Sequence, residues 1–151
     1  GQFDVRVTPM QMVMISAAIA NKGRLMQPNL IENVLSSNLA SLYAPSPSEY
    51  SRPVSEKTAG SLKQMMIDAV AKGVSGNAQI SGVKVAGKTG TAQNGKDEPY
   101  TLWFTGFAPA DKPRVAVAVV IEDGGGMGQN GRGNSLAAPV ARKVMQAVLN
   151  K

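Results

Sequence analysis

Lys88-Thr89-Gly90-Thr91 joins an ammonium, two hydroxyls and a glycine within one short stretch. In an extended strand, alternation puts Lys88 and Gly90 on one face and Thr89 and Thr91 on the other. Glycine at position 90 leaves no side chain in the way of a substrate laid along the strand edge as an added strand. The residue after it can direct a backbone N–H at a developing oxyanion, while hydroxyls and ammonium can hold a carboxylate. The competing reading is a solvated strand end, and the string by itself does not decide between the two.

Three further patterns offer different chemistry. Gly82 to Thr89 fits the phosphate-loop expression G-x-x-x-x-G-K-[ST] letter for letter, and Ile121-Glu122-Asp123 resembles the end of a magnesium-binding strand. That chemistry needs a buried strand before the first glycine and a helix starting at the lysine. Here the residues between the glycines alternate as a strand, and Thr89 to Gly95 starts no helical period. Gly126 to Gly131 fits G-x-G-x-x-G between a strand and a helix, but no Asp or Glu follows Asp123 to hold a ribose. A mobile glycine-rich loop is the better expectation. Ser81-Gly82-Val83-Lys84 spells the Ser-x-x-Lys of serine acyl transferases, whose lysine must share a helix face with the serine. This pair instead leads into a strand. Ser36-Ser37-Asn38 and Ser75-Gly76-Asn77 spell Ser-x-Asn and read as loop or turn residues.

Composition narrows the chemistry. The 151 residues contain no Cys and no His, so the chain cannot itself supply a Ser-His-Asp triad, a thiol nucleophile or a zinc cluster. No metal or other cofactor is expected, and the lack of cysteine suits an oxidising exterior compartment. The net charge of +6 is scattered from Arg6 to Lys151 with only Arg142-Lys143 adjacent, so no basic stripe follows a nucleic-acid backbone. An apolar share of 43% is enough for a packed core. No apolar run reaches the roughly 18 to 20 residues that cross a bilayer, so any membrane anchor or export signal is expected outside this chain. A start at Gly1, without Met, suggests a fragment.

The elements that must hold Lys88 to Thr91 can be read from period and caps. Thr8-Pro9-Met10-Gln11 is a capping box with proline at the first helical position. Met10, Val13, Met14, Ala17, Ala18 and Asn21 then mark one buried face, and Gly23 the stop. Pro28 to Ser37 reads as a short strand. Ala44 to Pro53 reads as an exposed loop within one domain, because its prolines and serines oppose regular structure. Ser55 caps a second helix whose buried face is Leu62, Met65, Met66, Ala69 and Val70, ending near Gly73. Runs at Val83–Thr89, Thr101–Ala108 and Arg114–Glu122 predict an antiparallel meander, its last strand central because Ala116 to Ile121 is apolar on both faces. A closing helix, capped by Asn134 or Ser135, should bury Leu136, Val140, Val144, Ala147 and Val148. The sum is an α+β fold with an antiparallel sheet covered by helices.

With these elements in place, four blocks resemble the penicillin-binding proteins in family order. They are Gly1-Gln2 with Thr8-Pro9-Met10-Gln11, then Val85 to Ala92 around the Lys-Thr-Gly string, then Trp103-Phe104-Thr105-Gly106-Phe107-Ala108-Pro109, and last Ala138-Pro139-Val140. Phe3 stands where that family has glycine. The resemblance is to class B enzymes, of the actinobacterial septal type. It implies the C-terminal portion of a transpeptidase domain, residues 1–151, with the penicillin-binding and serine β-lactamase fold. It further implies a serine D,D-transpeptidase on the extracytoplasmic face of the bacterial membrane, which crosslinks peptidoglycan stem peptides and is acylated by β-lactams. Lys88 would shape the field around the nucleophile and the substrate carboxylate. Thr89 and Thr91 would bind that carboxylate, Gly90 would allow close approach, and the Thr91 N–H would form half of the oxyanion hole. Trp103 and the loop at 124–133 would edge the groove. The nucleophile's Ser-x-x-Lys and the Ser-x-Asn element are missing, so they must come from an N-terminal part of the same domain. β-Lactamases and β-lactam sensors share this plan and differ from transpeptidases in deacylation rate.

Overall fold

The computed structural model describes residues 5–151. The block at Gly1-Gln2 and the Phe3 departure therefore lie outside the described residues. Helix α1 spans Pro9–Ala20 and begins as its sequence predicts. The Thr8 hydroxyl accepts the Gln11 N–H at 3.2 Å while the Gln11 carboxamide accepts the Thr8 N–H at 2.8 Å. Gly23, at φ +86°, turns the chain after the helix and donates its N–H to the Ala18 carbonyl at 2.8 Å.

The buried face of α1 keeps Ala18 of the expected set but is otherwise shifted. Ser16 and Ala18 are the buried positions, whereas Met10 is 47% exposed and Val13, Met14 and Ala17 line an open apolar groove with Leu25 and Met26. A polar contact explains the rotation: the Ser16 and Thr105 hydroxyls meet at 2.6 Å, and the Met12 and Val117 carbonyls lie 3.1 and 3.2 Å from Thr105 Oγ1. A hydroxyl buried without such partners would cost about 1–3 kcal/mol, so the helix turns to satisfy it.

The stretch from 25 to 51 holds four short strands: β1 (Leu25–Met26), β2 (Val34–Leu35), β3 (Ser41–Tyr43) and β4 (Glu49–Ser51). They pair antiparallel as β1 with β4 and β2 with β3. The strand expected over 28–37 thus shrinks to Val34–Leu35. Asn29 is one cause, since its carboxamide engages both the N–H and the carbonyl of Ile31 and takes that residue out of ladder pairing. The expected loop at 44–53 contains β4, because its prolines at 45, 47 and 53 flank the three residues that pair.

Helix α2 spans Glu56–Ala71, with the Ser55 hydroxyl accepting the Thr58 N–H at 3.1 Å. Ala59 and Val70 are buried and Met66 and Ile67 pack on the core, but Met65 is 66% exposed. Met65 sits about 100° round the helix from Met66, which carries it off the packed face.

Strands β5 (Ala86–Ala92), β6 (Thr101–Ala108) and β7 (Val115–Ile121) form the antiparallel meander in the order β5-β6-β7. The middle strand is β6, not the last strand as expected. Both faces of β7 are apolar because α1 packs on one and α3 (Ala137–Leu149) on the other. Two-sided burial therefore reports helix cover, not the number of strand neighbours. β5 starts three residues later than its apolar run, since Val83 makes only an isolated bridge to Ile80 around Gly82 at φ +73°.

α3 buries Ala137, Ala138, Ala141 and Met145 and leaves Val140 and Val144 each 43% exposed, so the expected Val-rich face is turned outward. Alanines let the helix axis approach the sheet closely, and hydrophobicity patterns underweight them. Neither Asn134 nor Ser135 caps it. The Ala137 and Ala138 N–H groups both donate to the Gly133 carbonyl, at 3.0 and 2.9 Å. The architecture is the expected α+β layering. Among the described residues no helix is long and apolar enough to cross a membrane, and no His, Cys, Asp and Glu cluster could hold a metal ion.

Candidate active site

The register of β5 on β6 assigns the faces. Thr105 points to α1, and its cross-strand partner is Lys88; Trp103, paired with Gly90, lies on the same side. Alternation then puts Thr89, Thr91, Leu102 and Phe104 on the α3 side. Lys88 and Gly90 thus come together with Trp103 of β6 on one face, and the two threonines lie on the other, the four β5 residues being on the edge strand. A side chain on Gly90 would place its Cβ 3.2 Å from the Trp103 Cβ, so the indole bounds the space above the glycine.

Backbone direction at that edge follows from a single hydrogen bond. The Thr89 N–H donates to Ser75 Oγ at 3.1 Å, on the side of β5 away from β6. In a strand, N–H groups two residues apart point the same way, so the Thr91 N–H also faces outward. The Lys88 ammonium lies on this edge as well, donating to the Thr89 carbonyl at 2.6 Å. Among the described residues no strand pairs with the outer edge of β5. An outward N–H, an adjacent ammonium and an unpaired edge are what an extended, negatively charged substrate requires.

The segment at 123–133 closes the α3 side. It folds as 3-10 turns at Asp123–Gly126 and Gly128–Asn130. Gly133 donates its N–H to the Thr91 hydroxyl at 3.3 Å and lies so near the sheet that a Cβ there would sit 2.5 Å from the Gly90 and Trp103 carbonyls. Gln129 donates to the Lys96 and Glu98 carbonyls at 2.8 and 3.1 Å, and the Arg132 guanidinium lies 5.8 Å from the centre of the Tyr100 ring. These contacts tie the loop to the β5–β6 turn.

The competing motifs dissolve in this geometry. Lys88 and Thr89 sit inside β5, not at a helix N-terminus, and Gly87 is buried with a ring of Phe104 over it, so no phosphate can lie in the Gly82–Thr89 stretch. Gly131 precedes the start of α3 by several residues, against the direct entry a dinucleotide site uses. Ser81 and Lys84 are exposed in the turn before β5, with Lys84 paired to Asp111 at 3.3 Å. Ser36 and Asn38 belong to an exposed turn. Ser75 and Asn77 are more than turn residues. Ser75 is fully buried against Thr89, and Asn77 donates from its N–H and its carboxamide to the Asn134 side-chain and backbone carbonyls, both at 3.0 Å, at the approach to α3. Only their distance in sequence from the Lys-Thr-Gly string hid this.

A profile of the penicillin binding protein transpeptidase domain matches residues 1–146. The peptidoglycan D,D-transpeptidase PbpA of Mycolicibacterium smegmatis is 40% identical over 154 aligned residues, covering 100% of this chain and 31% of that protein. Stage V sporulation protein D of Bacillus subtilis is 34% identical, covering 94% of this chain and 23% of that protein. The ceftriaxone acyl-enzyme complex of penicillin-binding protein A from M. tuberculosis superposes with a TM-score of 0.92 at 39% identity, covering 99% of this chain and 34% of that one. The chain thus spans about a third of the length of these PbpA relatives. By profile, relatives and superposition, the chain belongs to the penicillin binding protein transpeptidase domain family.

Proposed function

We propose that residues 1–151 are the C-terminal portion of a serine D,D-transpeptidase domain that crosslinks peptidoglycan stem peptides and is acylated by β-lactams. The nucleophilic serine and the Ser-x-Asn element belong to an N-terminal part outside these residues. The observation that carries this reading is the outer edge of β5, which pairs with no strand among the described residues and turns the Thr91 N–H outward on the side of the Lys88 ammonium.

Each residue has a role along that edge. The stem peptide, or a β-lactam, lies against β5 as an added strand, and the missing side chain at Gly90 lets it approach. Its reacting carbonyl oxygen receives the Thr91 N–H, which acts as half of an oxyanion hole as charge develops. Its carboxylate takes hydrogen bonds from the Thr89 and Thr91 hydroxyls and the field of Lys88, which also favours the ionised nucleophile. Trp103 and the 124–133 loop border the groove on opposite sides of the sheet. The open edge of β7 and the groove beside α1 are the surfaces on which the N-terminal part would pack. The setting is the extracytoplasmic face of the cell membrane, held there by an anchor outside this chain, and no cofactor takes part.

The test uses the complete domain, meaning this segment together with the part that carries the nucleophile. Benzylpenicillin should add one penicilloyl mass and leave slowly; rapid turnover would mark a lactamase instead. Lys88→Ala should slow acylation by about a hundredfold or more, the scale of losing one charge-stabilising donor, while the thermal midpoint stays unchanged. Unaltered acylation kinetics in that variant would remove Lys88 from the mechanism.

A further inference from the structure

We infer that Ser75 is a positioning residue of this site: it orients the Thr89 hydroxyl as a donor to the substrate carboxylate and sets where on β5 an added strand can begin. The inference rests on the carboxylate-binding role proposed above. Ser75 is fully buried, and its backbone is held on both sides, with its N–H on the Ala69 carbonyl at 3.0 Å and its carbonyl accepting the Ala78 N–H at 3.1 Å. Its backbone is thus fixed in place, and burial keeps its hydroxyl from water.

A hydroxyl has one proton and two lone pairs. Ser75 Oγ accepts the Thr89 N–H at 3.1 Å and donates its proton to Thr89 Oγ1 at 3.4 Å. Thr89 Oγ1 is thereby an acceptor on the side facing Ser75, and its own proton is left to point away from Ser75. A carboxylate only accepts, so a hydroxyl held in the donor state binds it better than a free rotor that presents a lone pair part of the time. The chain Ser75 O–H to Thr89 O–H to carboxylate also polarises each link. The second consequence concerns the strand edge. Ser75 occupies the outward N–H of Thr89, so the first outward N–H open to an incoming backbone is that of Thr91, which is the proposed oxyanion donor. Ser75 thus excludes pairing of the substrate two residues too early.

The test compares acylation of the complete domain by benzylpenicillin and by its methyl ester, which lacks the anionic carboxylate. Ser75→Ala should lower the second-order acylation constant for the acid by about tenfold, as expected for losing the alignment of one hydrogen bond to a charged group, and should change the ester little. Thr89→Val should show the same acid-selective loss, and the double variant should be no worse than Thr89→Val alone. Ser75→Cys, which keeps the size and a weak donor, should fall between wild type and Ser75→Ala and gives the reading if the alanine variant does not fold. Equal losses for acid and ester, or additive losses in the double variant, would overturn the Ser75 role while leaving Thr89 in place. An unchanged acid-to-ester ratio in Thr89→Val would overturn the carboxylate reading itself, and the Ser75 role with it.

Discussion

Gly87 serves a different purpose from the one its sequence context advertises. It pairs with Gly106 across β5 and β6, and a Cβ on it would run into the Phe104 ring that covers both glycines. Gly87→Ala should therefore destabilise the complete domain by about 1–3 kcal/mol, the usual cost of forcing atoms into a packed core, read as a shift in the urea midpoint at constant m-value. An unchanged midpoint would show that the ring can move aside. The same letters that match a phosphate loop are thus explained by aromatic packing within a strand. The Lys88 to Thr91 string was legible because its chemistry and its period lie in consecutive residues. Ser75 was not, because a serine hydroxyl next to Thr89 depends on the approach of the segment after α2 to β5, which no local pattern encodes.

At the scale of elements, the clearest signals were those with short-range causes. Thr8 with Gln11, and Ser55 with Thr58, set the starts of α1 and α2 through hydrogen bonds across three residues. The start of α3 follows no such rule, since its first amides turn to the Gly133 carbonyl and Asn134 is spent on Asn77. Helix rotation was also beyond local pattern. In α1 it answers to the Ser16–Thr105 contact, and in α3 to alanines that allow close approach. The first of these can be tested by a double-mutant cycle. Thr105→Val leaves Ser16 buried without its partner and should cost about 1–3 kcal/mol, and adding Ser16→Ala should recover part of that loss. A double variant less stable than Thr105→Val would show that the pair does not set the seating of α1.

At the scale of the whole molecule, the fold is a three-stranded sheet between helices whose outer edges, on β5 and on β7, are both without a strand partner among the described residues. The layering was legible from the change of period along the chain. The strand order was not, because two-faced apolarity on β7 records the helices α1 and α3 and says nothing of its neighbours in the sheet. On the account given above, this segment contributes carboxylate recognition and half an oxyanion hole to a site whose bond-forming serine lies elsewhere in the domain. The most direct measurement is to locate the penicilloyl adduct by proteolysis and mass spectrometry after benzylpenicillin treatment of the complete domain, alongside the isolated 151 residues. The account predicts one adduct, on a serine outside these residues, and none on the isolated segment. An adduct on Ser75, Ser81 or any other serine within the segment would contradict it.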